Sequence, residues 1–203
     1  MKIVGILGSP RKGGNTETLL DIALVAAQEK GVVTDKIALR DKSIAPCDGC
    51  QACTETGKCV IEDDTQEIYR ALFESDGIIW ATPVYFWSMT SQTKTLIDRT
   101  YALTFPKLQL ASKVAGLILV AGSRGCMNTA SIFHQYFTYN HMFFAEFAWG
   151  YASAKGEIKK NALATNMAVE MVHQMTGLIN AKLKYPEEFD APIQRWVRKK
   201  YHR

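Results

Sequence analysis

Apolar residues fall into short runs that alternate with stretches of helical spacing along the chain. Lys2–Leu7 has the pattern of a buried strand, and Gly8-Ser9-Pro10 ends it at once. From Asn15 the spacing turns helical, with Leu19, Leu20, Ala23, Leu24 and Ala27 on one face and Asn15 or Thr16 as the expected cap. Val32–Leu39 predicts a second strand. A segment rich in Gly, Asp and Thr follows, read as an ordered loop. Asp64-Thr-Gln-Glu67 opens as a capping box a helix that ends near Ser75, with Ile68, Leu72 and Phe73 turned inward. Gly77–Ala81 is a third strand, and helical spacing returns from about Thr90 to Tyr101. Val114–Val120 is a fourth strand, followed by a helix from about Asn128 to His141. A strand around Phe144–Tyr151 and a helix from Lys160 to Leu183 complete the pattern.

Strands alternating with helices predict a parallel sheet covered on both faces. Five strands and about five helices fit an α/β, flavodoxin-like, doubly wound sheet of order 2-1-3-4-5, with its ligand at the carboxyl ends of the strands. Residues 1–185 are expected to form this domain, with a cysteine-rich loop at 46–60 and a basic tail at 186–203.

Composition narrows the function. The chain has 203 residues, 47% of them apolar and 22% charged, which suits a folded core and excludes disorder. The net charge is only +4. Part of that excess sits at the end, where Arg195, Arg198, Lys199, Lys200 and Arg203 outnumber Glu187, Glu188 and Asp190. The nearly balanced body gives no nucleic-acid face and no polybasic membrane surface. No apolar run reaches membrane-spanning length, and Ile3–Leu7 is too short for a signal peptide. A reducing cytoplasm is the expected compartment.

Three loops would converge at the carboxyl edge. The first, Gly8-Ser-Pro-Arg-Lys-Gly-Gly-Asn-Thr16, is neither a Walker loop nor a dinucleotide fingerprint. Its glycine pair, its hydroxyl and amide side chains and the following helix N-terminus suit a single phosphate, with Arg11 adding charge. A plain capped turn is the competing reading. The second, Thr82-Pro-Val-Tyr-Phe-Trp-Ser88, offers a platform in Pro83, Val84, Tyr85, Phe86 and Trp87 for a planar ring, or a packing patch. The third, Ala121-Gly-Ser-Arg-Gly125, lets backbone approach a ligand through Gly122, Ser123 and Gly125. Together they describe a phosphorylated flat heterocycle, FMN.

Four of the five cysteines lie at Cys47, Cys50, Cys53 and Cys59. Thiols spaced by two residues can wrap one corner of a cubane while a fourth closes the cage, as in compact ferredoxin runs. A [4Fe–4S] cluster is the favoured ligand. Zinc, which more usually takes two separated knuckles, and redox-active thiols are the alternatives. Cys126 reads as a small buried or loop residue and not as a ligand. The four histidines show no metal spacing, and Lys94, Asp98 and Arg99 read as structural ion-pairing residues. The aromatic stretch of Phe133, Tyr136, Phe137 and Tyr139, continuing to Trp149, reads as core plus a subunit contact.

Gly8-Ser-Pro-Arg, Gly-Asn-Thr16, Thr82-Pro-Val-Tyr-Phe86 and Lys94-Thr-Leu-Ile-Asp-Arg99 resemble the NAD(P)H-dependent FMN reductase group. With the cysteine segment, the resemblance narrows to the iron–sulfur flavoproteins of anaerobic archaea and bacteria. It covers about the first 125 residues. It implies FMN contacts at Ser9, Arg11, Asn15, Thr16 and Thr18, then at Pro83, Tyr85 and Phe86. The third loop departs from those relatives, which often carry more glycine and a Glu where this chain reads Cys126-Met127-Asn128. The expected activity is electron transfer from a ferredoxin-like donor through the cluster and FMN to a small-molecule acceptor, in a homodimer or homotetramer. The alternatives are an NAD(P)H-dependent flavin or quinone reductase without a working cluster, and a non-catalytic electron carrier.

Overall fold

A computed structural model describes residues 1–189, 191 and 192. Five strands form one parallel sheet in the order β2-β1-β3-β4-β5. They are β1 (Lys2–Leu7), β2 (Val33–Ala38), β3 (Gly77–Pro83), β4 (Val114–Ala121) and β5 (Phe143–Tyr151). Central strands must be apolar on both faces, and β4 is buried at all eight positions. The edges differ. β2 is largely exposed, whereas β5 is half-buried along most of its length. A register shift between Ala115 and Gly116 leaves one extra residue of β5 unpaired, because Phe144 and Glu146 face these successive positions.

Two helical layers close the sheet. Helices α1 (Asn15–Glu29) and α6 (Ala162–Asn180) bury Leu19, Leu20, Ala23, Met171 and Met175 against one face. On the other face lie α3 (Thr65–Glu74), α4 (Ser91–Arg99) and α5 (Cys126–Tyr139). Their core centres on the fully buried Trp80, tilted against Phe133 and edge-on to Tyr136. The sixth helix, α2 (Ala52–Thr56), is a single turn inside the cysteine segment, which the sequence pattern leaves as loop.

Local chemistry departs from the sequence expectation at three ends. The residue before α1 is Gly14, which has no side chain to cap with, and the expected cap Asn15 is already the first helical residue, its amide engaged elsewhere. Asp64 does not cap α3; the Asp63 Oδ1 accepts the Thr65 N–H at 2.9 Å instead. Phe73, expected inward, is 62% exposed, with the Lys113 ammonium 5.7 Å from its ring centroid. In the aromatic stretch, Phe133 and Phe137 are core residues, as expected. Most of the basic tail, including Trp196–Arg203, falls outside the described residues. No helix among the described residues is long and apolar enough to cross a membrane.

Candidate functional site

The carboxyl ends of β1, β3, β4 and β5 surround an open cleft of about 290 Å³. Ser9, Arg11, Asn15, Thr16, Pro83, Val84, Tyr85 and Gly122 line it, so the three expected loops do meet. Larger hollows of about 440 and about 630 Å³ lie at the amino ends of the strands and beside β2, away from these loops. The Gly8 N–H donates to the Ala81 carbonyl at 2.7 Å, so the first loop leaves the sheet still paired. Ser9 is buried and its Oγ accepts the Arg11 N–H at 3.2 Å, which closes the turn. With no side chain capping α1, its first N–H groups and dipole stand ready for an anion.

Asn15 staples a fourth loop to this turn. Its Nδ2 donates to the Ala154 carbonyl at 2.8 Å, and its Oδ1 accepts the Ile158 N–H at 3.3 Å. Ala152 and Ser153 thereby join the cleft wall, as do Val120 and Ala121. Sequence reading named Ala121 only as the start of the third loop and missed Val120, Ala152 and Ser153. For Ala152 and Ser153 the available signal was the run of small residues just past β5, at the same sheet edge.

The remaining expected residues lie outside the lining. Thr18 faces a separate hollow on α1 with Asp21, Ile22 and Val25. Phe86 and Trp87 form the tip of a two-residue hairpin. Tyr85 N–H donates to the Ser88 carbonyl at 2.8 Å, and Ser88 N–H returns to Tyr85 at 3.1 Å. Both tip residues have positive φ (46° and 62°), a geometry that hairpins usually give to Asn or Gly. Phe86 is 92% exposed, so the three aromatics do turn away from the core. Ser123 is exposed, and Gly125 packs on the hairpin, where a Cβ would come within 2.8 Å of the Trp87 Cα. Cys126 is buried, and burial pushes its thiol up.

Glu17, in the first turn of α1, ties the glycine-rich turn after β1 to the β2 side. Its carboxylate accepts the Gly13 N–H at 2.7 Å, both Arg40 terminal nitrogens at 3.1 Å, and the Lys36 ammonium at 3.1 Å. Burial would raise its pKa. The hydrogen bonds from Arg40, Gly13 and Lys36 outweigh that and hold it at about 2 instead of 4.5. The resulting stability is fully present above the ordinary carboxylate range and is lost as pH falls through about 2. That contribution is on the order of 3 kcal/mol. Glu17→Gln is therefore expected to flatten the pH dependence of urea unfolding between about pH 5 and about pH 2. An unchanged slope in that window contradicts this role.

The cysteine loop lies under the opposite helical layer. Cys47 and Cys50 are exposed, whereas Cys53 and Cys59 are half-buried and pack on the core around Trp80. Gly49, Gln51 and Gly57 all have positive φ, which winds the chain back on itself. A Cβ on Gly57 would come within 3.0 Å of the Phe105 carbonyl oxygen, so glycine is needed there both for φ and for contact. All four thiols are free. Among the described residues, no three His, Cys, Asp or Glu side chains converge as a ligand set. Burial pushes the Cys53 thiol up, and the charges of Cys59, Cys47 and Cys50 add to that, so the four are electrostatic neighbours. Four free thiols on a glycine-relieved loop fit the donor chemistry of a Cys₄ iron–sulfur cluster.

Arg99 closes the base of that loop. Its side chain is fully buried, and its Nη1 donates to the Ala45 carbonyl at 2.8 Å and to the Asp63 Oδ2 at 2.6 Å. Its Nη2 donates to the Ile61 carbonyl at 3.1 Å, the Asp63 Oδ1 at 3.2 Å and the Thr65 Oγ1 at 2.7 Å. Burial would raise Asp63, but Arg99, Thr65 and the Ala45 N–H hold it far below the usual carboxylate range. The sequence placed Arg99 among structural ion pairs. That its partners would be the two flanks of the cysteine loop was not legible.

A parallel sheet whose carboxyl edge carries an uncapped glycine-rich turn, an aromatic hairpin and small-residue loops defines a flavodoxin-like flavoprotein. Residues 1–156 match the family model of the NADPH-dependent FMN reductases. The chain belongs to that family and is an FMN-dependent oxidoreductase, grouped with the iron–sulfur flavoproteins. An iron–sulfur flavoprotein of Methanocaldococcus jannaschii is 44% identical over 144 residues, spanning 70% of this chain and 74% of its own length. One of Methanosarcina thermophila is 44% identical over 124 residues, spanning 61% of this chain and 65% of its own. Among solved structures, RosB with a bound riboflavin-5'-phosphate derivative superposes with a TM-score of 0.79 at 18% identity. It covers 100% of this chain and 87% of RosB, and supports the fold alone.

Proposed function

We propose that this protein passes electrons between a [4Fe–4S] cluster held by Cys47, Cys50, Cys53 and Cys59 and FMN held in the carboxyl-edge cleft. A ferredoxin-like donor would supply single electrons, and a small-molecule acceptor would take up the pair. The observation that carries this reading is the set of four free thiols on one loop whose two flanks are fastened by a single buried arginine. The names of the 44%-identical relatives support it.

When bound, FMN supplies storage for two electrons, and an iron–sulfur cluster supplies one-electron exchange. The protein's own residues bind and orient. Ser9, Arg11, Thr16 and the first N–H groups of α1 would take the phosphate, with Asn15 holding the fourth loop in place. Pro83, Val84 and Tyr85 would flank the ring, and Gly122 would let backbone reach its polar edge. Phe86, Trp87, Ser123 and Gly125 would shape the rim from behind, and Thr18 would support the turn from within α1. The described residues lining the cleft include no carboxylate and no imidazole, which suits electron exchange better than acid–base chemistry. A homodimer or homotetramer in a reducing cytoplasm would let one subunit's cysteine loop approach another's cleft.

The family model favours a second reading, in which NAD(P)H reduces FMN directly and the cysteine loop plays no part. The two separate in one experiment. On the first reading, Cys47→Ser protein purified without oxygen keeps its flavin and loses iron and sulfide, and a reduced ferredoxin no longer bleaches it. Bleaching by NADPH at the wild-type rate in the same variant, with no response of the wild type to ferredoxin, would favour the second.

A further inference from the structure

The geometry points to Arg99 as the positioning residue that pre-sets the cysteine loop for its ligand, an inference that rests on the cluster reading above. All five hydrogen bonds of its terminal nitrogens land on the flanks of that loop. One goes to Ala45, before the first cysteine, and four go to Ile61, Asp63 and Thr65, after the last. The flanks also meet directly, through the Ala45 N–H on the Asp63 Oδ2 and the Ser43 N–H on the Asp64 Oδ2. A loop of this length, tied at its base, has fewer conformations to lose when its thiols close on a ligand. A buried ion pair is often no more stabilising than apolar packing of the same volume. Placement of the loop, beyond fold stability, therefore accounts better for an arginine here.

The other end of the same helix reaches the flavin cleft. Thr90, the residue that caps α4, donates its Oγ1 to the Gly8 carbonyl at 2.8 Å, directly beneath the phosphate loop. Helix α4 thus stands as a strut of roughly 13 Å, at about 1.5 Å per residue, between the turn that would hold phosphate and the clamp on the thiols. Arg99 fixes where the cysteine loop sits relative to the cleft because it is the last residue of that strut.

The test compares the full-length wild type with Arg99→Lys and Thr65→Val, purified and reconstituted without oxygen. Lysine keeps the charge but cannot reach both flanks with a planar fork. Two readouts are taken: the rate at which a chelator strips iron from the reconstituted protein, and the rate at which iodoacetamide alkylates Cys53 and Cys59 in the metal-free protein. Arg99→Lys is expected to bind FMN as the wild type does while both rates rise about tenfold or more, since several charge-assisted bonds are lost. Thr65→Val, which loses the hydroxyl's bonds to Arg99 and to Asp63 but keeps the guanidinium fork, moves both rates in the same direction by less. A merely structural role would weaken flavin binding in step with the thiols, and that outcome overturns the inference. Unchanged alkylation overturns it as well. If Arg99→Lys does not fold, Thr65→Val decides alone, by the same rates. If the wild type takes up no iron, the cluster reading fails, and the alkylation rates still judge the clamp.

Discussion

Asp63→Ala is expected to cost about 3–5 kcal/mol of folding stability, the range found when one partner of a buried ion pair is removed. The Arg99 side chain is wholly buried, and the Asp63 carboxylate is its one anionic partner among the described residues. Deleting that carboxylate strands a guanidinium that water cannot reach, and it also orphans the N–H groups of Ala45 and Thr65. Replacing both residues by apolar ones of similar size should cost less than removing the acid alone, because no charge is then left behind. Urea unfolding of the two variants checks this. A loss below about 1 kcal/mol for Asp63→Ala, the scale of a surface pair, would show that the pair is solvated and does not clamp the loop.

The second large effect belongs to Gly8. A Cβ there would overlap the Thr93 Oγ1 and lie 3.2 Å from the Thr93 Cβ and 3.3 Å from the Thr90 Oγ1. These hydroxyls cannot swing aside freely. Both residues are buried, the Thr90 Oγ1 donates to the Gly8 carbonyl, and the Thr93 Oγ1 lies 2.9 Å from the Thr90 Oγ1 and 3.2 Å from the Thr82 Oγ1. Gly8→Ala should cost about 1–3 kcal/mol by overpacking. It should also push the glycine-rich turn, which would hold the phosphate, off α4, so that the protein purifies nearly colourless. Adding Thr93→Ala removes the overlapping oxygen and should restore part of the flavin content. Absorbance at the flavin band, per chain, reads both variants. A yellow Gly8→Ala protein of wild-type stability would mean that the loop is not seated on α4.

The fold was legible because its signals are local. Short branched runs such as Lys2–Leu7 and Val114–Val120 end at glycine or proline, and helical spacing returns after each. The first three loops of the cleft were legible for the same reason, each being punctuation at a strand end. What was not legible depends on partners distant in sequence. The Asn15 side chain could cap its own helix, but its amide bonds lie 139 and 143 residues away. The fourth loop joined the cleft through those bonds, so only the tertiary fold reveals it. Phe73 sits at a helical position that spacing turns inward, yet it lies in the last turn of α3, where the sheet no longer covers it. Arg99 is the clearest case. Its sequence neighbour Asp98 pairs with Lys94 on the helix surface, and nothing local distinguishes that exposed pair from the buried one Arg99 makes with Asp63.

The cysteines themselves were the most specific signal, because ligand spacing is a local property that tertiary context cannot erase. Their convergence is another matter, and it sets the decisive measurement: iron, acid-labile sulfide and flavin per chain in wild-type protein reconstituted without oxygen. About four iron, about four sulfide and about one FMN are expected, the stoichiometry of a Cys₄-ligated [4Fe–4S] cluster beside one flavin. A full complement of FMN with no iron would contradict it, and would leave a flavin reductase whose cysteine loop serves some other purpose.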